Sequence, residues 1–152
     1  MAVMIGLMML SLALPSMRGL FGEQRLRDRM GEFEGVVVRA SALARSSNQE
    51  VRLRWVKLEK DKQGLWMGTT DGSVQEEGGA ENGVVLDIAK DEKIQLRRLA
   101  ARKGVEAPAE WCFWPNGIRE PVEVSYEGPA GEWALRFGAL LPDPEVLVMR
   151  PK

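Results

Sequence analysis

The sequence has no histidine and only one cysteine, and each absence excludes a class of chemistry. Without histidine there is no imidazole general base, no Ser-His or Cys-His nucleophile pair and no histidine-ligated metal site. Cys112 alone can form neither an intrachain disulfide nor a cysteine-rich zinc site. The composition therefore speaks against most enzymes, and we expect no catalytic residue, no cofactor and no metal.

Neither sign of charge is in excess. The 152 residues include 21 Lys plus Arg and 22 Asp plus Glu, which gives a formal net charge of −1. That balance provides no global attraction to nucleic acid, so nucleic acid is not an expected partner. Hydrophobic residues make up 45% of the chain, enough to build a core. We therefore expect one ordinary domain, or a small domain with an appendage, and not a disordered chain.

Charged side chains are missing from residues 1–17, and the first charge is that of Arg18. As a helix this segment would extend about 25 Å, which is the lower limit for crossing a bilayer. Gly6, Ser11 and Pro15 reduce its hydrophobicity further, so alone it would be a marginal membrane anchor.

Three interpretations of this segment compete. A cleaved secretory signal would need a basic residue ahead of the apolar run, and the sequence has none there. A buried core helix would have to hide an apolar run without a polar face inside a small domain. We favour a membrane helix that is missing its first residues. Its membrane and assembly surface is then predicted to consist of Val3, Ile5, Leu7, Leu10, Leu12, Leu14 and Pro15.

Beyond Pro15 the pattern stays helical but becomes amphipathic. Apolar residues recur at spacings of four and three, with charged residues on the other faces. Ser46, Ser47 and Asn48 then supply turn chemistry that ends the helix. The pattern predicts one helix of roughly 45 residues, kinked at Pro15, whose second part packs against a sheet. The predicted core face is Leu26, Met30, Phe33, Val37, Ala40 and Ala44.

From Val51 onward the apolar period shortens to two, which is typical of strands. Alternation slips at Val56, where a bulge is one interpretation. Residues 69–83 are rich in glycine and acid and predict a loop, whereas 93–103 fit either a helical turn or an irregular strand. The predicted strands are 51–55, 65–67, 84–88, 111–114, 122–126, 133–137 and 146–148.

Tryptophan is concentrated in these predicted strands. Trp55, Trp111, Trp114 and Trp133 are therefore expected to supply much of the core. Residues 127–132 predict the turn of a hairpin. The fold class that follows is α+β, with a long N-terminal helix packed on an antiparallel sheet.

The order of these parts resembles the type IV pilin-like proteins, and among them the H-type minor pseudopilins of type II secretion and the related minor pilins. The apolar segment is similar to the later part of the family's helix, with Pro15 at the usual proline. Residues 26–55 resemble its passage from helix to first strand. Residues 113–117 read FWPNG and fit the branch's Phe-x-Pro-x-Gly turn, and residues 122–148 follow its final hairpin and closing strand.

The resemblance implies a structural protein and not a catalyst. Residues 1–17 would be a transmembrane and filament-core helix, 18–46 its amphipathic continuation, and 47–152 a β-rich periplasmic head. The implied location is the bacterial inner membrane, crossed once, from which the subunit joins a periplasmic filament. The implied partners are other pseudopilin or pilin subunits, and prepilin-type N-terminal methylation is part of the family's processing.

Two features of the family's pattern have no counterpart in this sequence. Its leader, processing glycine and acidic residue are not present, so we expect the coding sequence to begin upstream of Met1. A turn of Pro142, Asp143 and Pro144 stands where the family has a glycine-containing turn before the last strand.

An alternative function is a membrane-anchored envelope module that binds a polymer or partner and never enters a filament, including a DNA-uptake minor pilin. The candidate phosphate contacts would be Arg97, Arg98, Arg102 and Lys103, although a solvated face is the preferred interpretation of that cluster. Cys112, between Trp111 and Phe113, is expected to be a buried, inert thiol. A calcium site is not expected, because the candidate ligands do not have the spacing of a known calcium-binding loop; they are Asp71, Glu76, Glu77 and Glu81.

Overall fold

A long helix precedes all of the strands that the structure describes. The structure is a computed structural model that describes residues 2–57, 63–69, 83–99, 110–140 and 143–152, with side chains from residue 21 onward except that of Lys57. The elements in chain order are α1 (Ala2–Ser47), β1 (Val51–Lys57), β2 (Gln63–Thr69), β3 (Val84–Ile88), β4 (Lys93–Arg98), β5 (Glu110–Phe113), β6 (Val122–Gly128), β7 (Gly131–Phe137) and β8 (Glu145–Pro151).

Helix α1 ends where the sequence predicted. Ser46 and Ser47 both donate their side-chain hydroxyls to the carbonyl oxygen of Leu43, which satisfies an acceptor in the last turn. Asn48 then adopts a positive φ of 53°, a left-handed conformation that Asn tolerates better than most residues. The chain turns there and enters β1 within three residues.

The described strands form two antiparallel sheets of four strands each, where the sequence pattern predicted one sheet. The order in the first sheet is β3-β2-β1-β5, and the order in the second is β4-β6-β7-β8. The division arises because β5 returns to pair with β1, whereas β4 pairs with β6. These pairings join distant parts of the chain, and local alternation carries no information about them.

The predicted hairpin of β6 and β7 is present and β1 pairs with β2 as a further antiparallel pair, but the irregularity lies elsewhere than predicted. In the β1–β2 hairpin, Val56 pairs with Gly64 in regular register, so the predicted bulge at Val56 was wrong. The register instead shifts at Leu65/Trp66, where β2 pairs with β3, and at Ala134/Leu135, where β7 pairs with β8. In each case the extra residue lies on an edge strand, Val85 on β3 and Leu147 on β8, where bulges are common.

The ambiguous segment 93–103 resolves into a strand over its described part. β4 alternates buried Ile94 and Leu96 with exposed Lys93, Gln95 and Arg97. Most of the predicted loop at 69–83 lies outside the described residues.

The core lies between α1 and the two sheets. Trp111 and Trp133 are fully buried, as expected, but Trp55 is only partly buried and Trp114 is 36% exposed. Trp114 was wrongly assigned to the core because β5 turns Trp111 and Phe113 inward, and alternation then places Trp114 on the opposite face. The buried core instead gains aromatic rings from Phe113, Tyr126 and Phe137.

Candidate functional site: the long helix and its junction with the sheets

Helix α1 includes two regions to which the sequence assigns different roles. Its predicted membrane and assembly residues belong to the helical backbone, but their side chains lie outside the described residues: Val3, Ile5, Leu7, Leu10, Leu12, Leu14 and Pro15. Among the residues that the structure describes, none of the helices combines the length and the apolar content needed to cross a membrane.

The second region packs its apolar stripe into the core. The structure buries Leu26, Phe33, Val37, Ala40 and Ala44 and places Met30, partly buried, against the same cluster. Val36 is also buried, which the stripe did not include. The signal for it was the run Val36-Val37-Val38. A helix can turn two members of such a run towards a broad sheet surface, and here the third, Val38, stays 64% exposed.

Aromatic contacts connect α1 with both sheets. The Phe33 ring lies 5.5 Å from the Trp133 ring and 6.1 Å from the Phe137 ring, both on β7. Phe137 in turn lies 5.0 Å from Trp111 on β5 of the first sheet. These separations are in the range at which aromatic pairs attract one another. A continuous chain of rings therefore fixes the helix against the seam between the sheets.

A second contact, which is polar, holds α1 at a level closer to the apolar segment. We call it the basal junction, and its members are Arg29, Asp87, Ala89, Glu92 and Tyr126. Arg29 binds Glu92 through two bonds, from Nε to Oε1 at 3.1 Å and from Nη2 to Oε2 at 2.6 Å. Its Nη2 also donates to the Asp87 carbonyl oxygen. Glu92 accepts two further hydrogen bonds, from the Tyr126 hydroxyl at 2.9 Å and from the Ala89 amide at 3.0 Å. The basal junction therefore ties α1 to the β3–β4 turn and to β6.

Burial of the basal junction shifts the pKa values of its members. Burial alone would raise the pKa of Glu92, but the bonds from Ala89, Arg29 and Tyr126 outweigh it and hold the pKa below its ordinary value. Burial raises the pKa of Tyr126 to about 12, and the neighbouring Glu92 carboxylate adds to the rise. The carboxylate is thus kept ionised and the phenol neutral, which is the arrangement their hydrogen bond requires.

Sequence reasoning missed the basal junction. Arg29 was one of many charged residues on the polar faces of the helix, and Glu92 followed a short predicted strand. Their partnership spans 63 residues. A faint signal was available, since Tyr126 is the chain's one tyrosine and alternates inward on β6, where a buried phenol needs a polar partner.

The Phe-Trp-Pro-Asn-Gly segment forms a tight turn at the other end of the sheets. The Gly117 amide donates to the Trp114 carbonyl oxygen at 3.0 Å, and the Trp114 amide donates to the Ile118 carbonyl oxygen at 2.9 Å. Gly117 has a φ of +83°, which explains why the turn uses glycine. Because Val51 pairs with Phe113, this turn lies beside the carboxyl end of α1, away from the apolar segment.

Cys112 is a half-buried thiol with no sign of activation. The sequence placed no basic group beside it, but Arg52 lies directly opposite on β1. Burial outweighs that cation and raises the pKa of Cys112 to about 11, so the nucleophilic thiolate is scarce near neutral pH.

Each described member of the candidate basic cluster forms an ion pair with a glutamate. Arg97 Nη2 lies 2.7 Å from Glu123 Oε2, and Arg98 Nε lies 2.7 Å from Glu120 Oε1. Arg136 and Glu145 extend the first pair into a ladder of alternating charge across the outer face of the second sheet. Two further members, Arg102 and Lys103, lie outside the described residues, as do the calcium candidates Asp71, Glu76, Glu77 and Glu81. Within the described residues, no three acidic or cysteine side chains are grouped to hold a metal ion.

Comparison with known proteins gives one informative likeness, and it is structural. No protein-family model and no curated protein matches the sequence. Among solved structures, the minor pseudopilin EpsH from the type 2 secretion system of Vibrio cholerae matches with a TM-score of 0.51. The match covers 80% of this chain and 94% of EpsH, at 13% sequence identity. It confirms the pilin-like α+β fold, a long N-terminal helix packed on antiparallel sheets, that the sequence resemblance implied.

Proposed function

We propose that the protein is a structural subunit of a pilin-like filament, a minor pseudopilin of type II secretion or of a related pilus-like system. One observation carries the proposal: α1 runs without interruption from the apolar segment into the core, from Ala2 to Ser47. Its second half is held by both sheets, and the fold likeness to EpsH supports the same role. Such a helix couples the position of an apolar rod to the position of a folded domain.

The proposed mechanism uses the apolar segment 1–17 twice. Before assembly it holds the subunit in the inner membrane, with residues 47–152 on the periplasmic side. During assembly it packs against the corresponding helices of other pilin-like subunits. Because lipid and neighbouring helices are equally apolar, the segment can exchange one environment for the other at little cost in free energy. Prepilin-type methylation belongs to the same proposal.

Rigid attachment of the helix is the contribution of the described residues. The aromatic chain from Phe33 to Trp111 and the basal junction at Arg29 grip α1 at two levels. A displacement of the apolar segment along the filament axis therefore moves the sheets with it. This role requires no reacting group, and it is non-catalytic.

A membrane-anchored binding module remains the second candidate, with DNA uptake as its most specific form. It would need an exposed, unneutralised binding surface. The described cations proposed for phosphate contact, Arg97 and Arg98, are instead engaged by Glu123 and Glu120. We therefore favour the filament subunit, with nucleic acid not among its partners.

Substitution in the apolar segment tests the proposal. In cells that depend on this protein, Leu10→Asp should abolish secretion or filament formation, because a buried carboxylate is costly both in lipid and in a filament core. Leu10→Ile keeps the surface apolar and serves as the matched control, with assembly expected to be unchanged. Immunoblotting of the secreted cargo measures secretion, and immunoblotting of sheared filaments measures filament formation. Normal assembly by Leu10→Asp would contradict the proposal.

A further inference from the structure

A cleft of about 520 Å³ opens beside the basal junction, where α1 emerges from the sheets. Its walls include Phe21 and Arg25 on the helix, Arg29 and Glu92 of the junction, and Lys152 after β8. The cleft therefore lies on the side of the molecule that faces the apolar segment. The side chains of the aromatic chain and of the basal junction leave this cleft unfilled.

The charges in the cleft leave two cations available. Arg29 and Glu92 satisfy each other at 2.6 Å. Arg25 is exposed and forms no ion pair or hydrogen bond with any residue in the described part of the chain. Lys152 Nζ donates to the Gly128 carbonyl oxygen at 3.3 Å and reaches the Glu127 carboxylate only at 3.9 Å, so it retains donors for a ligand. Among the charged side chains that line the cleft, cations are in excess, and this favours an anionic ligand.

Helix geometry places Arg25 within side-chain reach of the lipid phosphates if residues 1–17 lie in the bilayer, and Lys152 lies beside the same helix, with its carbonyl oxygen 3.4 Å from an added Cβ at Gly22. Phe21 follows the apolar segment by about 6 Å along the helix and Arg25 by about 12 Å. The polar layer of a bilayer leaflet is roughly 6 Å thick. Helical side chains tilt towards the amino terminus, so the long Arg25 side chain reaches back into that layer. Phe21, with 63% of its surface exposed, occupies the depth at which aromatic side chains collect at membrane interfaces.

We propose that this basal cleft binds the headgroup of an anionic phospholipid, with Arg25 and Lys152 contacting the phosphate. The inference rests on the proposed function, because it requires the apolar segment to be in the membrane. Bound lipid would fix the depth of the subunit in the bilayer before assembly. Release of the lipid would accompany transfer of the segment into the filament.

Lipid retention by the full chain tests the site. The protein is reconstituted into bilayers of equal parts phosphatidylglycerol and phosphatidylcholine, extracted in mild detergent and weighed with its retained lipids by native mass spectrometry. Wild-type protein should retain phosphatidylglycerol preferentially. Arg25→Gln and Lys152→Gln should each reduce that preference about fivefold, the effect of one cation near an anionic surface. Arg27→Gln is the matched control, since Arg27 lies on the same helix but pairs with Glu23 at 2.8 Å.

Each other outcome overturns the inference in a distinguishable way. An equal loss with Arg27→Gln would show diffuse attraction and no site. Displacement of the lipid by soluble glycerol phosphate would show a site for a free phosphate ester and not for a membrane lipid. Insertion of the wild type without any lipid preference would overturn this inference alone. Failure to insert into any bilayer would overturn it together with the membrane step of the proposed function.

Discussion

Phe33 occupies the point at which α1 meets both sheets. Its side chain is fully buried, and its ring connects through Phe137 to Trp111 on the first sheet. Removal of a large ring at such a position leaves a cavity that surrounding side chains fill only partly. The stability of the whole arrangement therefore depends strongly on this one residue.

We expect Phe33→Ala to lower the free energy of unfolding by about 3–5 kcal/mol. Val38→Ala, on the same helix but at a position with 64% of its surface exposed, should change it by no more than about 0.5 kcal/mol. Denaturant unfolding of the detergent-solubilised protein, followed by tryptophan fluorescence, measures both. Equal effects of the two substitutions would mean that the helix does not pack as described.

Glu92 makes the basal junction sensitive to acid. Its pKa is below the ordinary value of 4.5 in the folded protein, so the junction is fully stabilising above pH 4.5. That stabilisation is lost as the pH falls through the folded pKa, because the carboxylate must then bind a proton and give up its bonds.

We therefore expect the melting temperature of the wild type to fall as the pH drops from 4.5 to 3, and Glu92→Gln to make this dependence shallower. Glu145→Gln removes an exposed carboxylate from the far end of the second sheet and serves as control, with the wild-type dependence retained. Thermal unfolding followed by circular dichroism across this pH range gives the result. A Glu92→Gln profile parallel to that of the wild type would show that the junction contributes no pH-dependent stability.

At the scale of single elements, two glycines lie in different environments, one in a strained and crowded position and the other in an open one. Gly131 begins β7 with a φ of +141°, and a Cβ there would lie 2.2 Å from the Arg150 carbonyl oxygen on β8. Gly35, in the middle of α1, has no atom beyond its chain neighbours and the adjacent helix backbone within 4 Å of an added Cβ. The first glycine is required by the pairing of two strands, whereas the second only weakens a helix.

Opposite effects on stability are expected when each is replaced by alanine. Gly131→Ala should destabilise the protein by more than about 2 kcal/mol, since both the backbone conformation and the close carbonyl oppose it. Gly35→Ala should stabilise it by roughly 0.5–1 kcal/mol through helix propensity. Melting curves of the two variants provide the measurement. A Gly131→Ala variant as stable as the wild type would contradict the described register of β7 and β8.

Elements governed by local pattern were predictable from the sequence, and those governed by distant pairing were not. The end of α1 at Ser47 follows from turn residues that are adjacent in the chain, and the β6–β7 hairpin follows from strict alternation on both sides of a short turn. The two-sheet division depends on β5 crossing to β1, which no local period encodes. The basal junction was hidden for the same reason, because Arg29 and Glu92 meet only in the folded chain.

Over the whole molecule, α1 is the element that every proposed function shares. It contacts β1, β3 and β5 of the first sheet and β7 and β8 of the second, so the described domain is built around its second half. The first half includes residues 1–17, whose sequence carries no charged side chain. A filament subunit needs both properties in one helix, whereas a simple binding module needs the apolar half only as an anchor.

Site-specific photo-crosslinking from position 10 of the full-length protein tests the central claim most directly. A photoreactive residue replaces Leu10 in cells that express the complete secretion or pilus system, and the same residue at Val38 reports on the exposed face of the helix. The account predicts that position 10 crosslinks to other pilin-like subunits when assembly is active and to lipid when assembly is blocked. Crosslinks to lipid alone in both conditions would contradict a role in the filament core.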